Sequence, residues 1–173
     1  MALRRAPGID GRHGRGDGEV EILLDLLDEA FARKSWHGTN LRGSIRGLDP
    51  ALAGWHPGPG RHSIREIVVH AAYWKYAVWR RLAGQKRGSF ALEGSNWFAR
   101  PGPADPKGWA EDVGLLSGEH KRLREAVERL TPAALRQVPK GSRFTVAGLV
   151  RGIAAHDLYH AGQIQLLKKL GPS

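Results

Sequence analysis

The chain has 173 residues, long enough for one domain with a proper core. Cysteine is absent, which excludes a disulfide framework, a thiolate nucleophile and thiolate-ligated zinc, so any metal must rest on histidine and carboxylate. The formal charge is +10, and the basic residues, among them Arg33, Lys34, Arg80, Arg81, Arg122, Arg124, Lys168 and Lys169, are scattered rather than set in one block. Such a surface either attracts nucleic acid, anionic lipid or an acidic small molecule, or is solvated and has no partner, and the scatter favours the second reading.

Residues 1–18 are rich in Gly and Arg with almost nothing apolar to bury, so a disordered tail is expected there, followed by one folded domain over 19–172. The N-terminus has no apolar h-region, and no run approaches the ~20 apolar residues of a membrane span. No membrane association and a cytoplasmic location are therefore expected. From Glu19, Val20, Leu23, Leu24, Leu27 and Phe31 recur at helical spacing and predict a first long helix. It is interrupted near 35-SWHG-38 and expected to resume through 39–48, with Leu41, Ile45 and Leu48 on one stripe. Asp49-Pro50 offers an N-cap and N1 proline for a short turn.

The Pro-Gly alternation in 55-WHPGPGRH-62 forbids regular structure. Ser63 and Glu66 form the S-x-x-E of a capping box, so a second long helix starts at Ile64, with Gly84 as its stop. Ile67, His70, Trp74, Ala77 and Arg81 follow one another at successive turns of it. Residues 85–104 make the longest irregular connection, in which Trp97 and Phe98 either pin the loop to the core or wall a pocket. Asp105-Pro106 opens a third long helix to residue 130, where His120 reads as a surface residue among Glu119, Lys121 and Arg122. Thr131-Pro132 caps a short turn, and a fourth long helix runs from near Thr145 to Gly171-Pro172. Strand-period alternation is missing throughout, so the fold class is all-α, an antiparallel four-helix bundle.

The fourth helix carries 153-IAAHDLYHAGQIQLLKKL-170, in which His156 and His160 are one turn apart on one face. Leu149, Gly152, Ile153, Gln163 and Leu167 project to the same side, the side a bundle helix buries. Two imidazoles there are core residues bonded to backbone carbonyls, half-exposed residues at a helix edge, or the arms of a metal site, and a metal satisfies both at once. His70 on the second long helix reads by itself as a satisfied core residue, but facing the same core as the other two it offers a third arm. Three neutral imidazoles leave a divalent ion its full charge and an open position, the catalytic arrangement. Zn, Ni, Fe, Mn and Co all suit such ligands. The open position can hold water or a substrate thiol as thiolate.

Gln163, one turn beyond His160, either bonds a ligand or substrate or caps a buried polar contact; with Trp74 and Trp97 it completes the candidates for substrate contacts. Asp157 points about 100° away from His156, which suits an ion pair with an adjacent helix better than general base. His13, His37, His56 and His62 lie in the tail or in loops and carry no assigned role, and Glu66 is taken by the capping box. No general acid or base stands out, so no catalytic residue is named beyond the ligands.

In 36-WHGTNL-41, 61-RHSIREIVVHAAYW-74 and above all 155-AHDLYHAGQIQLLKK-169, the chain resembles the DinB-like superfamily of metal-binding four-helix bundles, over about residues 19–170. The first segment matches the family's first-helix segment, the second its single helix histidine, and the third its H-x-x-x-H. The resemblance implies an up-down-down-up bundle, often a homodimer, with His70, His156 and His160 as the metal triad. Relatives include thiol-dependent transferases and isomerases that use low-molecular-weight thiols, and metal-dependent hydrolases. A metal-dependent enzyme using a thiol on a small electrophile is the expectation. The alternatives are a metal-dependent hydrolase and a non-catalytic basic protein that binds nucleic acid or a stress metabolite; a nucleic-acid partner is not the favoured one.

Overall fold

Nearly every helix begins where a short polar side chain replaces the backbone carbonyl that the first turn lacks. The computed structural model describes residues 17–100 and 105–172. It holds α1 (Asp17–Phe31), α2 (Leu41–Ser44), α3 (Pro50–Gly54), α4 (Ile64–Leu82), α5 (Pro106–Glu128), α6 (Pro132–Leu135) and α7 (Val146–Leu170), and no strand among the described residues. Asn40, Asp49, Ser63, Asp105, Thr131 and Thr145 each accept a backbone N–H from the turn they start. At α4 the capping box is complete: Ser63 Oγ accepts Glu66 N–H at 3.3 Å and Glu66 Oε2 accepts Ser63 N–H at 3.1 Å. Gly84 sits just past that helix with φ +65°, a conformation a Cβ would strain. The expected 1–18 tail lies outside the described residues except for its last two, which open α1. Among the described residues no helix is long and apolar enough to cross a membrane.

The four long helices pack in a closed ring, α1 on α7, α7 on α4, α4 on α5 and α5 on α1. Their apolar faces meet in two clusters. One gathers Phe31, Leu41, Ile64, Ile67, Val68, Leu116 and Ile164; the other gathers Leu27, Val78, Leu123, Val127, Val150 and Ile153. Charged side chains bridge the helices at fixed points. Arg65 Nε reaches Asp112 Oδ2 at 2.8 Å, and Arg100 from the loop also grips Asp112. Arg122 lies 3.5 Å over the Trp79 ring, and Arg124 Nε meets Asp28 Oδ1 at 2.9 Å.

Three expectations are corrected. The 39–48 stretch is not a resumed helix: α2 is a single turn, and Leu41, Ile45 and Leu48 reach the core from the turn and the bend after it. The 36–40 residues make a connection, with Trp36 fully exposed. On α7 the buried stripe is Val146, Val150, Ile153, Ala154, Asp157, His160, Ala161 and Ile164, so Gly152 is exposed while Leu149, His156 and Gln163 are half-buried. The stripe is centred nearer Asp157 than His156 because an inward charge finds a partner there. His120 is also buried rather than on the surface, stacked on Phe31 with ring centroids 3.7 Å apart. Its neighbours in sequence are charged, but its own direction is toward α1.

Candidate metal centre

His70 comes from the second turn of α4, and His156 and His160 from the middle of α7. Side chains four residues apart stack one above the other on a helix, so both α7 rings reach the same point. His70 Nε2 and His160 Nε2 each lie 3.1 Å from His156 Nε2. Nitrogen ligands at ~2.0–2.1 Å from a tetrahedral ion stand about 3.3–3.4 Å apart, so the rings are within a few tenths of an ångström of a coordination shell. His70, His156 and His160 form the group among the described residues whose ligand atoms could hold a metal ion.

Hydrogen bonds set the tautomers. His70 Nδ1–H donates to the Asn96 carbonyl at 2.8 Å, and His160 Nδ1–H donates to Gln163 Oε1 at 2.7 Å. Neutral rings held this way have bare Nε2 lone pairs, and both lone pairs point at His156 Nε2. A single N–H on His156 can satisfy only one of them. A cation among the three nitrogens satisfies all three, and the outer bonds to Asn96 and Gln163 are the kind that orient imidazole ligands. The donor set therefore fits a divalent ion.

The electrostatics point the same way. Burial pushes the His156 imidazolium down to about 3, helped by its neighbours His160 and His70 and by Lys75. Burial likewise lowers His160 to about 4 against the opposing bond to Gln163, and lowers His70 against its bond to Asn96. Rings that stay neutral keep their lone pairs available for a metal.

Around the triad, Trp97 is sandwiched between His70 and His62, with ring centroids 3.8 Å and 3.6 Å away. It both walls the site and pins the loop against the core, so the two readings of this residue hold together. Phe98 is buried with Phe90 and Tyr73. Trp74 Nε1–H donates to Asn96 Oδ1 at 3.0 Å. The expected substrate-contact residues divide between two cavities. Trp74 and His156 line one of about 500 Å³, while Trp97 and Gln163 line another of about 510 Å³ with His62 and Leu166. His62 and His56 face Glu66 Oε2 at 3.1 Å and 3.3 Å, so this carboxylate does more than complete the capping box.

Asp157 makes the expected ion pair with a neighbouring helix: Lys75 Nζ on α4 lies 2.5 Å from Asp157 Oδ2. Two contributors escaped the sequence reading. Lys75 lies on α4 with no pattern in the sequence that marks a lysine as buried. Asn96 lies in a loop and meets His70 through its main chain and Trp74 through its side chain, with φ 66°, and a turn-former is the trace it leaves in the sequence.

The family model described as the DinB superfamily matches residues 33–164, well over half of the chain. Neither the curated proteins nor the solved structures contain a match.

Proposed function

The chain belongs to the DinB superfamily, and on that premise we propose that it is a metal-dependent enzyme transferring a low-molecular-weight thiol to a small electrophile. His70, His156 and His160 hold one divalent ion. The observation that carries the reading is the pair of tautomer-fixed Nε2 lone pairs aimed at a third imidazole nitrogen. When bound, the ion supplies Lewis acidity at a position that protein ligands leave open. The chain's part is to bind, orient and exclude water. Asn96 and Gln163 hold the ligand rings, Trp97 covers His70, and half-buried His156 opens onto a cavity from which a small molecule approaches.

The up-down-down-up bundle belongs to the same reading. Ile67 shares a cluster with Ile164 while Val78 shares the other with Val150, which supports antiparallel α4 and α7. Arg65 with Asp112, and Trp79 with Arg122, support α4 and α5 running the same way. Asp28 with Arg124, and Phe31 with His120, support α1 running opposite to α5.

The test is turnover of an alkylating fluorophore such as monochlorobimane by metal-loaded protein, with and without low-molecular-weight thiols. Enzyme-dependent turnover should need both metal and thiol and vanish in His156→Ala with helicity unchanged. Turnover that survives His156→Ala removes the proposal, and turnover of ester substrates without thiol assigns hydrolysis instead.

A further inference from the structure

The cavity of about 500 Å³ beside His156 is of the size that takes a small molecule. Its floor is apolar, from Trp74, Val78, Phe144, Leu149 and Ile153. Its polar lining residues are Arg81 on α4, Ser142 and Arg143 in the loop before α7, and His156, and no carboxylate lines it. Among the described residues neither arginine forms an ion pair. Arg81 donates through Nη1 to the Ala77 carbonyl at 2.7 Å, which fixes the guanidinium and leaves its other N–H groups available. One flank of α7, from Gly148 and Leu149 through Gly152 and Ile153 to His156, completes the wall.

A half-buried cation without a counter-ion is a cost that an incoming anion offsets, and a planar fork binds carboxylate or phosphate in two-point fashion. We propose that this cavity is a subsite for a small molecule with an acid group and an apolar, preferably aromatic, body. Its carboxylate or phosphate is held by Arg81 and Arg143, and its body lies on Trp74 and Phe144 with one end against His156. The assignment rests on the enzyme reading above, because His156 belongs both to the cavity wall and to the triad. It names the substrate class for that site: acidic rather than neutral, and amphipathic rather than wholly polar.

Isothermal titration of the metal-loaded protein with 2-naphthoate, 2-naphthyl phosphate and 2-naphthalenemethanol tests this without turnover. At least one anion should bind about tenfold tighter than the alcohol, the scale of a charge-assisted hydrogen bond, and whichever anion leads identifies the acid group. That preference should shrink in Arg143→Gln, whose exposed loop position spares the fold, and disappear in Arg81→Gln/Arg143→Gln. Equal binding of alcohol and anions, binding of no probe, or an unchanged preference in the double variant overturns the proposal. Metal content measured on the same samples separates the two ideas. A triad that holds no metal defeats the enzyme reading while the probe affinities still decide the subsite.

Discussion

Lys75 Nζ lies 2.5 Å from Asp157 Oδ2, and neither side chain has any exposure to solvent. The pair joins α4 to α7, the two helices that carry the triad, and Asp157 is the residue after His156. Burial raises the Asp157 carboxyl to about 6 and lowers the Lys75 ammonium, while each charge partly rescues the other. Removing one partner strands the other, so Lys75→Met should cost about 3–5 kcal/mol in urea unfolding. Replacing both, with Lys75→Met and Asp157→Leu, should restore most of that loss, since a well-packed apolar pair has no charge to desolvate.

His120 supplies a pH dependence. Burial, with Lys75 and Arg124 nearby, pushes its imidazolium down to about 2 from an ordinary 6.5. The folded ring is neutral where the unfolded ring is charged, so the unfolded state binds more protons below 6.5. The stability this ring permits is complete above 6.5 and is lost as pH falls. His156 and His160, lowered to about 3 and 4, act in the same direction, and Asp157, raised to about 6, acts against them. In metal-free protein, His120→Phe should reduce the loss of stability between neutral pH and about pH 5 by about 2 kcal/mol, read from denaturant midpoints at each pH.

The outer hydrogen bonds should be felt in metal affinity more than in folding. Gln163→Leu removes the acceptor for His160 Nδ1. Competition with a chelator should show metal binding weakened about 10- to 100-fold, with the thermal midpoint of metal-free protein nearly unchanged. Asn96→Gly keeps both the backbone conformation and the carbonyl that His70 uses, so it should bind metal better than Asn96→Ala, which strains a positive φ.

The capping box offers a check on α4 itself. Ser63→Ala removes the acceptor for Glu66 N–H and should lower stability by about 0.5–2 kcal/mol, measured by chemical denaturation.

Helix starts were legible because caps are local chemistry: Asp49, Ser63, Asp105, Thr131 and Thr145 all stand where the sequence places them. The convergence of His156 and His160 was legible because four-residue spacing on a helix survives folding unchanged, and His70 joins them across α4 and α7. What failed was direction around a helix axis. Projecting α7 on His156 buried Gly152 and turned Asp157 aside, yet the core stripe runs through Asp157 because Lys75 crosses from α4 to meet it. His120 failed for the same reason, since its neighbours in sequence are charged while its neighbour in space is Phe31. Pairings between helices are tertiary facts, and periodicity within one helix does not contain them.

The claim that the three imidazoles form one inter-helix metal site is tested most directly by metal content, by mass spectrometry on tag-free protein beside His70→Ala and His156→Ala. The account predicts about one divalent ion per chain in the unaltered protein and loss of it in both variants, each still helical, because the ion needs ligands from α4 and α7 together. Unaltered protein that takes up no metal on reconstitution, or variants that keep it, would contradict the account.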